Sequence, residues 1–87
     1  MNNYTEDNYL HNGVEVYTKD GGSWGYDPVD ESDVTLRDGK YYIDNGRYVY
    51  DYVEDEVDRI MVYRLYKTEE DGYIYVYGDV IKVEEEE

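Results

Sequence analysis

The stretch Lys40-Tyr41-Tyr42-Ile43-Asp44-Asn45-Gly46-Arg47-Tyr48-Val49-Tyr50-Asp51-Tyr52-Val53 reads as two strands facing each other across a turn. Both flanks are rich in β-branched and aromatic residues, which suit a pleated, half-buried surface. Asn-Gly supplies the positive φ values that a two-residue hairpin loop demands, so the spacing predicts a hairpin closed by Asn45-Gly46. Side chains alternate along a strand, which sets Tyr48, Tyr50 and Tyr52 on one side. Arg47, Val49, Asp51 and Val53 fall on the other.

Outward from this hairpin the same grammar repeats. Gly13, Gly21, Gly39, Gly46 and Gly72 each follow Asn or Asp and read as punctuation between strands. Between them lie runs rich in Val, Ile and Tyr at Val14 to Thr18, Val34 to Arg37, Arg59 to Lys67 and Tyr73 to Val83. The last two form a second hairpin across Thr68 to Gly72, with Gly78 marking a bulge. The prediction is an all-β or β-rich domain over residues 1–87, a small antiparallel sheet or barrel of about five to six strands.

An α+β variant turns on the segment 54–66. Val53, Val57, Ile60, Met61 and Leu65 also fall at helical spacing, with acids at the start and Arg64 and Lys67 at the end. Val62 and Tyr63 would misfit such a helix and favour the strand. Asp27 to Asp33, holding the only Pro, reads as a connecting loop, Met1 to Asn8 as a frayed end and Glu84 to Glu87 as a solvated acidic tail.

Lys and Arg total 8 against 23 Asp and Glu, a net charge of -15, and self-repulsion on that scale opposes compaction. Disorder is the competing outcome, since Ile, Leu and Val are few and Phe is absent. The 14 Tyr and Trp24 decide for a folded protein, because aromatic residues are what disordered chains lack. Absence of Cys excludes disulfides, thiolate metal sites and a cysteine nucleophile, and makes the cytoplasm the expected setting. No apolar run approaches the ~20 residues of a membrane span.

Catalysis finds no footing. His11 is the sole histidine, placed in a loop before Asn12-Gly13, so neither a His-paired nucleophile nor a multi-histidine metal site can be assembled. Asp27, Asp30, Glu31 and Asp33 lack the order and the Gly of an EF-hand loop. A non-enzymatic protein with no cofactor and no metal is expected.

The acidic groups carry the signal instead. Asp27, Asp30, Glu31 and Asp33 form one cluster, Glu54, Asp55, Glu56 and Asp58 a second, and Glu69, Glu70 and Asp71 a third. Solubility of a small domain needs a net charge of only about 2 to 8, so the excess calls for another reason. Rows of carboxylates can imitate the phosphates that nucleic-acid-binding proteins neutralise with Lys and Arg. The same acidity argues against binding nucleic acid directly.

The tail Glu84 to Glu87 is a fourth cluster, and with it, Glu54-Asp55-Glu56, Asp58 and Glu69-Glu70-Asp71 on a short cysteine-free chain, the protein resembles, in composition and size, the small DNA-mimic inhibitors that bacteriophages deploy against host defences, the anti-CRISPR and anti-restriction proteins. The resemblance implies a binder that occupies the basic channel of a defence nuclease and blocks DNA, acting as monomer or dimer in the host cytoplasm. The three clusters, with Tyr48, Tyr50 and Tyr52, are then the candidate partner-binding residues. The stripes Tyr48, Tyr50, Tyr52 and Tyr73, Tyr75, Tyr77 have two readings: an outward contact face, or core filling in a chain without Phe. An outward face would equally serve a structural or adaptor module, through its tyrosines or an exposed strand edge.

Overall fold

The computed structural model describes residues 5–86. Among them are seven strands: β1 (Tyr9–Thr18), β2 (Ser23–Tyr26), β3 (Val34–Arg37), β4 (Lys40–Asp44), β5 (Val49–Val53), β6 (Val57–Thr68) and β7 (Gly72–Val80). One sheet runs β2-β1-β6-β7 and the other β3-β4-β5, and every strand pair in both is antiparallel. The expected all-β class holds, as two open sheets with no closed barrel. The segment open to a helical reading is strand β6, preceded by a 3-10 turn at Glu54–Glu56. No helix among the described residues is long and apolar enough to cross a membrane.

The hairpin β4–β5 forms, with its register two residues away from the expected one. Ile43 pairs with Tyr50 and Asp44 with Val49, leaving a four-residue loop. The Asn45 side chain causes the shift: its Oδ1 accepts from the N–H groups of Arg47 at 3.0 Å and Tyr48 at 2.7 Å, stabilising a wider turn. A shift of two preserves the face of every side chain.

Gly13 and His11 are corrections. Neither lies in a loop: both sit within β1, where Gly13 pairs with Tyr63 and His11 with Leu65. Gly21, Gly39, Gly46 and Gly72 do take positive φ at turns. Gly78 belongs to the bulge expected of it, since Gly78 and Asp79 stand opposite the single residue Val62. The strand β2 is an addition to the runs legible in the sequence, because Gly21 and Gly22 precede it and Gly25 interrupts it.

The ends are more tied than their composition suggests. Asn8 accepts a backbone bond from Lys67 at 2.8 Å, although Met1 to Tyr4 of the segment expected to fray lie outside the described residues. In the acidic tail, Glu85 forms a parallel bridge to Leu36 and the Glu86 N–H bonds the Leu36 carbonyl at 2.8 Å, while Glu87 lies outside the described residues.

The core lies between the sheets. Val14, Val16 and Ile60 enter from the larger sheet, Val34 and Ile43 from the smaller, and Val29, Val57 and Ile81 from their margins. Fully burying a Val or Ile side chain stabilises by roughly 1.5–3 kcal/mol. The loop Asp27 to Asp33 is therefore structural in part, since its Val29 is buried and its N–H bonds Asn12 at 3.0 Å. The particle measures 45 × 26 × 20 Å, and β7 supplies no residue to the shared core.

Candidate protein-binding surface

The three acidic clusters occupy three separate connections, except for Asp58, which lies within β6. Glu54, Asp55 and Glu56 form the 3-10 turn that leads into β6, while Glu69, Glu70 and Asp71 are the tip of the hairpin that leaves it. At ~3.3 Å per residue the twelve residues of β6 hold these two clusters about 36 Å apart. Asp27, Asp30, Glu31 and Asp33 lie between β2 and β3, anchored beside the middle of β1 by the bond from the Asn12 amide to Asp30 at 3.0 Å. The clusters thus do not merge into one patch; two stand at opposite ends of β6 and the third beside β1.

Their carboxylates differ in freedom. Asp27 accepts from the Tyr63 hydroxyl at 2.7 Å and stands 3.6 Å from His11, and Asp33 accepts from the Asp30 N–H at 2.9 Å. Asp58 pairs with Arg59 at 2.6 Å. Glu31, Glu54, Asp55, Glu56, Glu69, Glu70 and Asp71 are exposed, and no carboxylate among them makes a hydrogen bond or an ion pair. The acidic turn at Glu54–Glu56 is instead fixed through its backbone: Glu54 donates to Gly39 at 2.8 Å and Glu56 accepts from Lys19 at 2.9 Å.

Half of the eight basic residues pack on tyrosine. Arg37, Arg47, Arg59 and Lys67 each lie over a tyrosine ring, at 4.0 to 5.5 Å from the centroids of Tyr42, Tyr48, Tyr17 and Tyr73. Among the described residues, the ion pairs of Lys or Arg with a carboxylate are those of Arg59 with Asp58 and Arg37 with Glu86.

The two tyrosine stripes part company. Pairing with buried Ile43 turns Tyr50 inward, and Tyr52 follows it, so both pack against the core. Tyr26 joins them, its ring 4.4 Å from Tyr50 and its hydroxyl hydrogen-bonded to that of Tyr52. Tyr48, at the loop, is exposed. Tyr73, Tyr75 and Tyr77 are also exposed, on the outer face of the larger sheet, with Tyr75 and Tyr77 stacked at 6.5 Å. Tyr63 shares that face but is only 2 % exposed, because its ring lies flat across Gly13 beneath Tyr75 and Tyr77.

Burial raises several phenol pKa values above the ordinary 10.0. Tyr63 and Tyr52 are held well above it by desolvation and by their bonds to Asp27 and Tyr26. Tyr77 is pushed up to about 12 by desolvation and by its bond to Glu15. A folded-state pKa above the unfolded one gives stability that is intact below pH 10 and lost as pH rises toward and beyond 12. Alkaline titration followed by tyrosine absorbance and circular dichroism should therefore show Tyr52, Tyr63 and Tyr77 still protonated at pH 10 in the folded protein, and ionising only at higher pH as the fold melts; ionisation of all 14 tyrosines at pH 10 with intact circular dichroism would contradict this.

Among the described residues no three of His, Asp and Glu converge as metal ligands. No protein-family model matches the chain, and no curated protein or solved structure matches it either.

Proposed function

We propose that this protein is a DNA-mimic inhibitor, one that enters the basic nucleic-acid channel of a host-defence nuclease and excludes DNA. The observation that carries this reading is a set of exposed carboxylates, free of hydrogen bonds and ion pairs, at both ends of β6 and beside β1 in a particle 45 Å long that carries only 8 Lys and Arg against 23 Asp and Glu. Duplex DNA places one charge per ~1.7 Å of axis, so about 26 charges lie along an equal length. A net charge of -15 is of that order. Steering by such a field speeds association with a basic partner, and the attraction weakens as salt rises.

The test is affinity capture of the tagged chain from a bacterial lysate containing CRISPR and restriction systems, eluted by a salt gradient. A basic nucleic-acid-binding protein leaving at moderate salt, and displaced by added DNA, is the expected result. Reversing the charge at Glu54, Asp55 and Glu56 with Lys should weaken that complex about tenfold or more, since rim charges govern steering and exclude like-charged partners. Unchanged affinity would remove this turn from the interface.

A second reading, an adaptor module, is favoured by β7. It is the edge of its sheet, nine residues long, and carries exposed Tyr73, Tyr75 and Tyr77. Such an edge is a template for an added strand. Salt-resistant capture of a neutral or acidic partner would select this reading over mimicry.

A further inference from the structure

We propose that the cleft between Trp24, Tyr52 and the turn of Asp55 and Glu56 receives an arginine side chain of the partner. This rests on the reading of that partner as a basic protein. The cleft, about 400 Å³, opens where β2 meets β5 and the acidic turn. Its aromatic walls are the indole of Trp24, 49 % exposed, and the ring of Tyr52, 6.4 Å away and inclined at 44°. Asp20, Asp55 and Glu56 line the same space.

Each wall is set before any ligand arrives. A Cβ on Gly22 would fall 2.5 Å from the Trp24 ring, so the indole rests directly on the Gly22 backbone. The Tyr52 hydroxyl is bonded to Tyr26, which holds its ring. Asp20 accepts hydrogen bonds from the Thr18 hydroxyl and the Gly22 N–H, which hold its carboxyl below the usual range and keep it ionised. A preformed site loses little freedom on binding.

Three carboxylates against one lysine leave the cleft negative. Lys19 also lines it, yet makes no ion pair there among the described residues. Anions are repelled, and an apolar group would leave the carboxylates uncompensated. A guanidinium satisfies both kinds of wall: its flat face stacks on indole, the best cation-π ring, and its N–H fork donates to carboxylates at the edge. An ammonium, more strongly hydrated and without the planar fork, fits less well.

Trp24 is the sole tryptophan, so its fluorescence reports on this cleft alone. The full chain would be titrated at fixed ionic strength with a capped Gly-Arg-Gly peptide and with its uncharged citrulline isostere. A saturable response to the arginine peptide, about fivefold or more weaker for citrulline, is expected. Asp55→Asn/Glu56→Gln should weaken arginine binding about fivefold, whereas Glu69→Gln/Glu70→Gln, the same charge change at the far end of β6, should leave it intact. Equal response to citrulline, no response, or equal loss in both variants would overturn the site. A basic partner captured undiminished by Asp55→Asn/Glu56→Gln overturns the cleft's role and leaves mimicry standing. Arginine binding with no basic partner captured overturns mimicry and leaves the cleft.

Discussion

Gly13→Ala is expected to lower the melting temperature by roughly 10–20 °C, from a loss of about 2–3 kcal/mol in a domain of this size. The cause lies in one contact. A Cβ at position 13 would stand 2.3 Å from Cζ of Tyr63, far inside van der Waals distance. The ring cannot simply step aside, because Tyr75 and Tyr77 pack against it at 5.2 and 5.7 Å and its hydroxyl donates to Asp27 at 2.7 Å. Moving it would break that bond and open the outer face of the sheet. The strand backbone itself tolerates alanine, since Gly13 does not take positive φ. The clash therefore predicts non-additivity: Gly13→Ala in a Tyr63→Ala background should cost little more than Tyr63→Ala alone. Thermal melts of the two single variants and the double variant decide it, and additive losses would show that the contact is not the cause.

Ile43→Ala should cost about 2–5 kcal/mol, comparable with the whole stability of a small domain. Ile43 is 0 % exposed and belongs to the same buried cluster as Val14, Val16 and Ile60 of the larger sheet, so truncation leaves a cavity in the core that the two sheets share. A control lies on the opposite face of the same hairpin: Val49 is 62 % exposed, and Val49→Ala should shift stability by no more than about 0.5 kcal/mol. Urea unfolding of both variants measures the contrast. Similar midpoints would mean that the inward face of β4 and β5 has been assigned to the wrong side.

That assignment illustrates what the chain discloses before it folds. Turn chemistry is local, so the positive-φ glycines at positions 21, 39, 46 and 72 and the strands β3 and β4 were readable from their own neighbourhoods. The side of β5 that faces inward was not, because it depends on Ile43 and on Tyr26, which is 24 residues from Tyr50 in sequence yet 4.4 Å away in space. Tyrosine rather than valine goes inward here: large rings span the gap left by few aliphatic residues, while Val49 and Val53 stay in water. Gly13 misled for a related reason, since its role is to admit the Tyr63 ring, and only the β1–β6 pairing reveals that. The strand β2 was hidden because Ser23, Trp24 and Gly25 show no alternation and gain their partners, Tyr17, Val16 and Glu15, from β1.

For the candidate surface, the acidic clusters and their exposure were legible, because charge runs without apolar neighbours have nowhere else to go. Their spacing along β6 was not, since it needed the strand's true length and its two terminal turns. The cleft beside Trp24 joins residues from two distant segments, 18–24 and 52–56, and left no mark in either of them.

The turn Glu54–Glu56 is locked to both sheets through its main chain alone, by bonds to Gly39 and Lys19 that any residue except proline at position 54 could make. Its side chains are free of structural duty. Mutation can therefore vary the charge and shape of this turn step by step, without jeopardising folding, on an unaltered scaffold.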